Sequence, residues 1–382
     1  MKASEIIGLI GIWERGKQNN MRNHIRGGKT MDHLTSNPKL YNVPFKATEF
    51  NGMPYRYLGR SGLQVSNIGL GTWKFGFPET GDGSRVNERQ AFDIFDRAIQ
   101  LGVTFWDTAN RYNAGSGNSE RVIGRWLKSN SCQRRNVTIA TKVFGGMDGY
   151  TPNHSGLSRG NIVDSVYACL QRMQTDYIDL LYFHGFDPNV PIEESLAAVE
   201  DLIRQDMVRY FAVSNFSVDQ LAAYQKVQTD LSIRCKPIAV QNGFDLLQGE
   251  AEQHQGVLDY CGQSGISFIA WSPLARGLLT GRYSEATKLG PGDRLYDEQG
   301  GNPTIQREIW EKVSKLAALA SEWQMELGQL VMAYMLRMKG MGPIIPASST
   351  VSQLESNASA AKIVLSEDQL MRIQNEISGN VF

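Results

Sequence analysis

Four side chains with complementary chemistry stand at, or just after, the ends of apolar segments. Asp107 ends a short apolar run and Tyr112 follows it, while Lys142 and His184 end two later apolar runs. A phenol has a pKa of about 10, and a neighbouring ammonium lowers it toward the range where proton exchange is efficient at neutral pH. Asp107 would keep Lys142 charged and in place, and His184 would hydrogen-bond a substrate oxygen. The set therefore predicts proton transfer to or from an oxygen atom.

Such a set needs a cofactor, because it contains neither an evident nucleophile nor a cluster of metal ligands. Polar and aromatic residues at later strand ends suit that purpose. Amides and hydroxyls bind a carboxamide, an indole stacks on a flat ring, and hydroxyls at a helix N-terminus bind phosphate. The candidates are Ser214, Asn215, Gln241, Trp271, Ser272, Ser348 and Thr350.

The elements that would position these residues are parallel strands. Continuous apolar runs alternate with segments of helical period, which is the pattern of strands covered by helices on both faces. Ligands bind at the carboxyl ends of such strands, which lie about 5 Å apart, so residues at consecutive strand ends converge. Eight strands are predicted, over residues 68–72, 105–109, 137–143, 178–184, 209–215, 238–244, 266–272 and 342–347. The predicted helices include residues 88–100, 119–128, 159–173 and 192–204.

Eight strand-then-helix units predict an α/β fold, a (β/α)8 TIM barrel. An open doubly wound sheet is the competing architecture, but it needs fewer strands and usually a GxGxxG fingerprint, whereas GLGTW stands at the first strand here. Two short segments around a Gly-Arg-Ser-Gly turn predict an N-terminal β-hairpin, and a long loop follows the seventh strand. We expect residues 1–52 to be a poorly structured extension and residues 53–382 to be one barrel domain.

The charge of the 382-residue chain is balanced, with 39 lysines and arginines against 39 aspartates and glutamates. A pI near 7.0 provides no field that favours nucleic acid or an anionic membrane. The longest apolar stretch near the start, residues 6–13, is too short to span a bilayer. The four cysteines lack metal or redox spacing, so a reducing compartment is expected. These features predict a cytoplasmic protein without nucleic-acid or membrane partners, and they leave the oligomeric state open.

A series of motifs, in order along residues 55–377, resembles the aldo-keto reductase superfamily. They read GLGTW from Gly69, DTANRY from Asp107, TK at residues 141–142, a histidine followed by DPNVPIEE from Asp187, VSNF from Val213, VQN from Val240, SPLARGLLTGRY from Ser272 and PASSTVSQLESN from Pro346. The long loop is similar to the branch that includes potassium-channel β-subunits and related bacterial reductases. The resemblance implies a nicotinamide-dependent carbonyl reductase or alcohol dehydrogenase that acts on an aldehyde, ketone or sugar.

The resemblance also implies a role for each matching residue. Tyr112 matches the family's general acid/base, Lys142 and Asp107 tune it, and His184 orients the substrate carbonyl. Other positions match those that bind the carboxamide, stack on the nicotinamide ring, and hold the pyrophosphate and adenosine. These cofactor-binding candidates are Thr72, Trp73, Ser214, Asn215, Gln241, Trp271, Ser272, Leu274, Arg276, Ser348, Thr350, Gln353 and Asn357.

The segment before the last predicted helix departs from the family pattern. Where many members carry a lysine or arginine for the adenosine 2′-phosphate, this chain has Ala347, Ser349 and Gln353. Charge-assisted hydrogen bonds are roughly twice as strong as neutral ones, so NADP(H) is expected from the family and NAD(H) is the alternative. Trp73, Trp106 and the loop 75–85 are expected at the rim of the substrate pocket. Aromatic walls suit sugars, phenolics and plain aldehydes alike.

Two other functions are compatible with the sequence. A regulatory subunit with weak or vestigial catalysis would bind nicotinamide tightly without turnover. A barrel hydrolase would need two carboxylic acids facing one bond, but only Asp107 stands at a strand end, where it is expected to pair with Lys142. Absence of nicotinamide binding would favour the hydrolase.

Overall fold

A computed structural model describes residues 48–147, 149–231, 235–299 and 305–378. Three antiparallel strands open this part of the chain: β1 (Glu49–Phe50), β2 (Met53–Tyr57) and β3 (Gln64–Ser66). β2 and β3 pair across the turn that contains Gly59 to Gly62, so the predicted hairpin is confirmed. The predicted extension, residues 1–52, lies outside the described residues except for 48–52, and the predicted domain boundary stays a prediction.

Eight parallel strands follow and form a nearly closed barrel. The remaining strands are β4 (Leu70–Gly71), β5 (Phe105–Asp107), β6 (Thr138–Val143), β7 (Ile178–Phe183), β8 (Val208–Ser214), β9 (Pro237–Asp245), β10 (Gly249–Glu250), β11 (Ser267–Trp271) and β12 (Met341–Ile345). All except β10 belong to the barrel, in chain order, and β10 pairs antiparallel with the end of β9. The first and last barrel strands meet where Gly69 N donates to Ile344 O at 2.8 Å and Gly71 N to Pro346 O at 3.1 Å. The predicted (β/α)8 fold is confirmed.

Helices fill the crossovers between these strands, and two more helices follow β12. They are α1 (Glu88–Gln100), α2 (Asn118–Ser129), α3 (Arg159–Met173), α4 (Ile192–Arg204), α5 (Val218–Asp230), α6 (Val257–Ser264), α7 (Arg294–Gln299), α8 (Arg307–Glu322), α9 (Leu327–Met335), α10 (Val351–Ala360) and α11 (Glu367–Ser378). The predicted bounds of α1, α3 and α4 agree with the structure, whereas α11 was not predicted. Among the described residues, no helix combines the length and apolarity needed to cross a lipid bilayer.

Strand alternation decides which residues reach the barrel interior. Phe105 belongs to the apolar cluster that fills the barrel, so Asp107, two residues further along β5, faces the same side. Trp106 between them faces outward, is 0% exposed, and stacks on Phe95 of α1 with ring centroids 4.4 Å apart. The interpretation of Trp106 as part of the pocket rim is therefore wrong: its indole is core between the barrel and the helices.

Candidate active site

A buried ammonium forms the centre of the site. Lys142, on β6, donates through Nζ to Asp107 Oδ1 at 2.5 Å, to Tyr112 Oη at 2.8 Å and to the Thr108 carbonyl at 3.0 Å. An ammonium has three protons, so these three acceptors satisfy it completely. The Lys142 and Asp107 side chains are 1% and 3% exposed, so both charges are shielded from water and depend on each other.

The Asp107 carboxylate is engaged at both oxygens. Oδ1 also accepts from Tyr112 Oη at 3.3 Å, and Oδ2 accepts from Gln241 Nε2, on β9, at 2.7 Å. A carboxylate held by three side chains has little freedom to attack a substrate. Its place is that of a fixed negative charge, which argues against the paired-carboxylate hydrolase.

Tyr112 is held in its protonated form. Burial raises its pKa well above 10, and the neighbouring charge and hydrogen bond of Asp107 raise it further. The expectation from the sequence that the Tyr112 pKa is lowered is wrong for this structure, because burial and then the adjacent Asp107 carboxylate raise it. Burial also lowers the pKa of Lys142, and the Asp107 carboxylate opposes that shift. Tyr112 is therefore a phenol that can donate its proton.

His184 follows β7 at the same end of the barrel. Its ring centroid lies 6.1 Å from that of Tyr112, and its backbone N donates to Val143 O at 3.0 Å. Burial, and then the positive charge of Lys142, lower the pKa of His184 to about 3. The imidazole is therefore neutral near pH 7 and can act as a hydrogen-bonding group without carrying charge.

The depressed pKa of His184 predicts a pH-dependent stability. Between about pH 3 and 6.5, His184 is protonated in the unfolded chain and neutral in the folded protein. The stabilisation from the neutral imidazole is therefore present above about pH 6.5 and is lost as the pH falls toward 3. We expect the free energy of unfolding in urea to rise with pH by about 1.4 kcal/mol per pH unit more in the wild type than in His184→Gln. Equal slopes for the variant and the wild type between pH 4 and 6 would contradict the assignment.

Three candidates for binding a carboxamide lie beside this cluster. Ser214 Oγ donates to the Gln241 carbonyl at 2.8 Å, and Asn215 Nδ2 donates to Ser214 Oγ at 3.2 Å and to His184 O at 2.8 Å. Gln241 reaches Asp107, as described above. The structure therefore brings Asn215, directly after β8, into contact with His184, and Gln241 of β9 into contact with Asp107, while Ser214 connects the two.

Trp271 provides a flat surface at the end of β11. Its side chain is 39% exposed, and it crosses Gly243 of β9 so closely that a Cβ there would lie 3.0 Å from the indole Cζ2. One part of the ring is thus supported by backbone while another part remains accessible. This is what a platform for a planar ligand requires.

The segment after Trp271 resembles an anion cradle. Ser272 Oγ is buried without a hydrogen-bond partner among the described residues. Ser272, Ala275, Arg276 and Gly277 all have positive φ, between 47° and 106°. Ala275 N and Gly277 N already donate to the Ser272 and Leu274 carbonyls at 3.0 and 2.8 Å, so the open Ser272 hydroxyl is a group in this segment that suits an anion. Asn215, Trp271, Ser272, Ala275 and Arg276 are among the residues that line a cavity of about 460 Å³.

A second group of candidates surrounds the start of α10. Thr350 Oγ1 caps this helix by accepting from Gln353 N at 3.2 Å, and Gln353 Oε1 accepts from Ser349 N at 2.7 Å. Asn357 Nδ2 donates to Ser348 Oγ at 3.0 Å. The predicted residues therefore converge at one helix N-terminus, a position that favours phosphate.

The remaining candidates occupy different surroundings. Trp73 lies two residues after β4. Lys74 Nζ and the Arg294 guanidinium lie 4.1 and 5.0 Å from the centroid of its ring. Leu274 accepts through its carbonyl from Gly277 N at 2.8 Å, within the cradle. Thr72 is 0% exposed, and its hydroxyl donates to the Asp107 carbonyl at 3.0 Å. In this structure Thr72 therefore supports Asp107.

Sequence reasoning missed two polar residues behind the site. Ser119 and Glu120, in the first turn of α2, are both 0% exposed. Ser119 contacts Thr72, and Glu120 accepts a hydrogen bond from Thr141. The available signal is their position seven and eight residues after Tyr112, at the start of the helix that follows β5.

Comparison with known proteins gives a consistent result. The family model described as the aldo/keto reductase family matches residues 67–377. Aldo-keto reductase AMT2 of Alternaria alternata is 31% identical over 360 residues, which cover 87% of this chain and 94% of the relative. Aldo-keto reductase AFTS1 of the same organism is 32% identical over 339 residues, covering 82% and 89%.

Proposed function

The chain belongs to the aldo/keto reductase family, and on this basis we propose that it is an NAD(P)H-dependent carbonyl reductase in which Tyr112 donates the proton. The observation that carries the proposal is the contact of one buried ammonium, Lys142, with both Asp107 and the Tyr112 hydroxyl. The placement of this chain in the branch of the potassium-channel β-subunits stays a prediction.

In this proposal His184 and Tyr112 act on the substrate oxygen, and Lys142 and Asp107 support Tyr112. His184 offers a neutral imidazole for a hydrogen bond to that oxygen, because its pKa of about 3 keeps it uncharged. Tyr112 transfers its proton to the same oxygen as negative charge develops there. Lys142 stabilises the resulting phenolate, and Asp107 keeps the ammonium in place. The reverse order of proton movement serves alcohol oxidation.

The residues present fit a nicotinamide dinucleotide. The Ser272 hydroxyl, which has no hydrogen-bond partner among the described residues, suits the pyrophosphate, with Leu274 and Arg276 in the same segment. Ser214, Asn215 and Gln241 suit the carboxamide, and the accessible indole of Trp271 suits the ring. When bound, such a cofactor supplies the hydride. Trp73 and the residues at the start of α10 complete the proposed binding set.

The nucleotide specificity is decided at the start of α10. The family generally uses NADP(H), which is our first proposal, yet residues 346–360 contain no lysine or arginine. Gln353 is exposed there. We expect Gln353→Arg to tighten NADPH binding about tenfold, since a charge-assisted bond exceeds a neutral one by roughly 1 kcal/mol or more. The Kd for NADH should change less than twofold.

Titration of protein fluorescence with NADPH and NADH measures the Kd for each cofactor. Ser352→Arg is the matched control, because it adds the same charge at the adjacent exposed position. If both arginine variants tighten NADPH equally, the gain is a general charge effect, and the assignment of Gln353 to the 2′-phosphate is wrong.

The proposed function is tested by turnover. Purified protein with NADPH and a panel of aldehydes, ketones and aldoses should show saturable cofactor oxidation. Tight cofactor binding without turnover across the panel would instead support a regulatory subunit. We also propose a reducing, cytoplasmic location, in keeping with four unpaired cysteines, of which Cys169, Cys235 and Cys261 are buried.

A further inference from the structure

We propose that Ser119 and Glu120 are positioning residues that fix the proton donor from behind. They hold the carboxyl ends of β4, β5 and β6 in the arrangement that brings Asp107 to Lys142. The inference rests on the proposed function, because it concerns the same group of residues.

Ser119 joins two barrel strands through a chain of hydroxyl groups. Its Oγ lies 2.8 Å from Thr72 Oγ1, at the end of β4, and 2.9 Å from Thr108 Oγ1, directly after β5. Thr72 Oγ1 in turn donates to the Asp107 carbonyl at 3.0 Å. Ser119 Oγ also donates to the Thr72 carbonyl, which lies 2.8 Å away, so Thr72 offers two acceptors for its proton. Each hydroxyl uses its one proton when Thr108 donates to Ser119, Ser119 to an oxygen of Thr72, and Thr72 Oγ1 to the Asp107 carbonyl.

Both ends of this chain reach the buried ion pair. At one end the chain holds the backbone of Asp107. At the other end is Thr108, whose carbonyl is the third acceptor of the Lys142 ammonium, at 3.0 Å. Without the Ser119 hydroxyl, Thr108 and Thr72 would no longer be connected by hydrogen bonds. We expect the Thr108 carbonyl to move away from the Lys142 ammonium and Asp107 to become more mobile.

Glu120 holds β6 in place through its two carboxylate oxygens. Its Oε1 accepts from Thr141 Oγ1 at 2.6 Å, and its Oε2 accepts from Arg172 Nε of α3 at 2.6 Å. Thr141 precedes Lys142, so alternation directs its side chain toward the helices while Lys142 faces the barrel. A buried, fully satisfied polar network restricts its members to one arrangement. Glu120 thus fixes the strand that carries the ammonium.

Two glycines permit this close packing of α2 on α3. A Cβ on Gly124 would lie 2.2 Å from the Arg172 carbonyl, and a Cβ on Gly117 would lie 2.6 Å from Arg172 Cδ. Gly117 also has φ of 70°, a conformation that favours glycine. Any larger residue at either position would push Glu120 and Arg172 apart. The approach of α2 to the strand ends is therefore determined by the sequence.

The test compares two buried serines that begin helices. Ser119→Ala removes the central hydroxyl of the chain. Ser195→Ala is the matched control: Ser195 is 1% exposed, lies in the first turn of α4, and donates to the Leu157 carbonyl at 2.8 Å, which lies outside β4, β5 and β6. Ser119 has more hydroxyl partners than Ser195, so the free energy of unfolding of both variants is measured in urea, and kcat is compared where both are fully folded.

We expect Ser119→Ala to lower kcat for carbonyl reduction about 10- to 100-fold, because small misplacements of catalytic groups have effects of this size. The Kd for NADPH should stay within twofold, and Ser195→Ala should retain wild-type kcat. A second readout uses the cofactor-free protein labelled with 15N-lysine. The Nζ signal that Lys142→Met removes should shift in Ser119→Ala and remain in place in Ser195→Ala.

Thr141→Val is measured alongside, since it removes one hydrogen bond to Glu120 and keeps the Glu120–Arg172 ion pair. If Ser119→Ala does not fold, Thr141→Val still tests whether the contacts of α2 position Lys142. The proposal is overturned if the Lys142 signal is unchanged in whichever of these variants folds, or if kcat falls equally in Ser195→Ala. If the wild type lacks turnover, the proposed function fails, but the NMR comparison still decides the positioning role.

Discussion

Tyr112→Phe is expected to lower kcat for carbonyl reduction about 1,000-fold while leaving the Kd for NADPH within twofold of wild type. The substitution removes only the hydroxyl, and general acid catalysis contributes roughly 10²- to 10⁴-fold. The hydroxyl is the group that Lys142 and Asp107 contact, at 2.8 and 3.3 Å. Steady-state turnover of 4-nitrobenzaldehyde and a fluorescence titration with NADPH measure the two quantities.

Tyr224→Phe is the control for this variant. Tyr224 is also buried, at 1% exposed, but it lies on α5 among Phe183, Phe186 and Phe216, away from the ion pair. It should keep wild-type kcat. Turnover within tenfold of wild type in Tyr112→Phe would assign the proton transfer to another group.

Removing one member of the buried ion pair is expected to destabilise the fold as well as abolish turnover. Asp107→Asn leaves the Lys142 ammonium buried without its counter-charge, and Lys142→Met does the same to the carboxylate. Breaking a buried pair costs about 3–5 kcal/mol. Both variants should lose activity, because the first leaves the ammonium misplaced and the second leaves the Tyr112 phenolate without a cation.

The double variant Asp107→Asn/Lys142→Met separates these two effects. It contains no buried charge at this position, so its free energy of unfolding in urea should be closer to wild type than that of either single variant. Its kcat should stay as low as theirs. If the losses of stability simply add in the double variant, the two charges do not depend on each other as the structure indicates.

The barrel and the clustering of Asp107, Tyr112, Lys142 and His184 could be predicted because one kind of signal specifies both. An apolar run that ends on a titratable residue marks a strand and also its carboxyl end. Asp107, Lys142 and His184 were found in this way, and Tyr112 followed from its spacing after Asp107. Parallel strands then bring these ends together, as observed.

Two features could not be read from this pattern: the direction of the Tyr112 pKa shift, and the role of Ser119 and Glu120. The direction of the Tyr112 pKa shift depends on burial and on the distances to Asp107 and Lys142, which the sequence does not contain. Ser119 and Glu120 look like ordinary polar residues of a first helical turn, where acidic residues are common. Their role follows only from tertiary packing against Thr72, Thr108 and Thr141. Trp106, in contrast, could have been placed correctly, since it alternates with Asp107.

The most direct test of the account uses NADPH that carries deuterium at the transferable position of its nicotinamide. Wild-type protein should convert 4-nitrobenzaldehyde to an alcohol with one deuterium on the former carbonyl carbon, and Tyr112→Phe should form that product about 1,000-fold more slowly. Mass spectrometry of the product measures both the label and the rate. An alcohol without deuterium, or equal rates for the two proteins, would contradict the account.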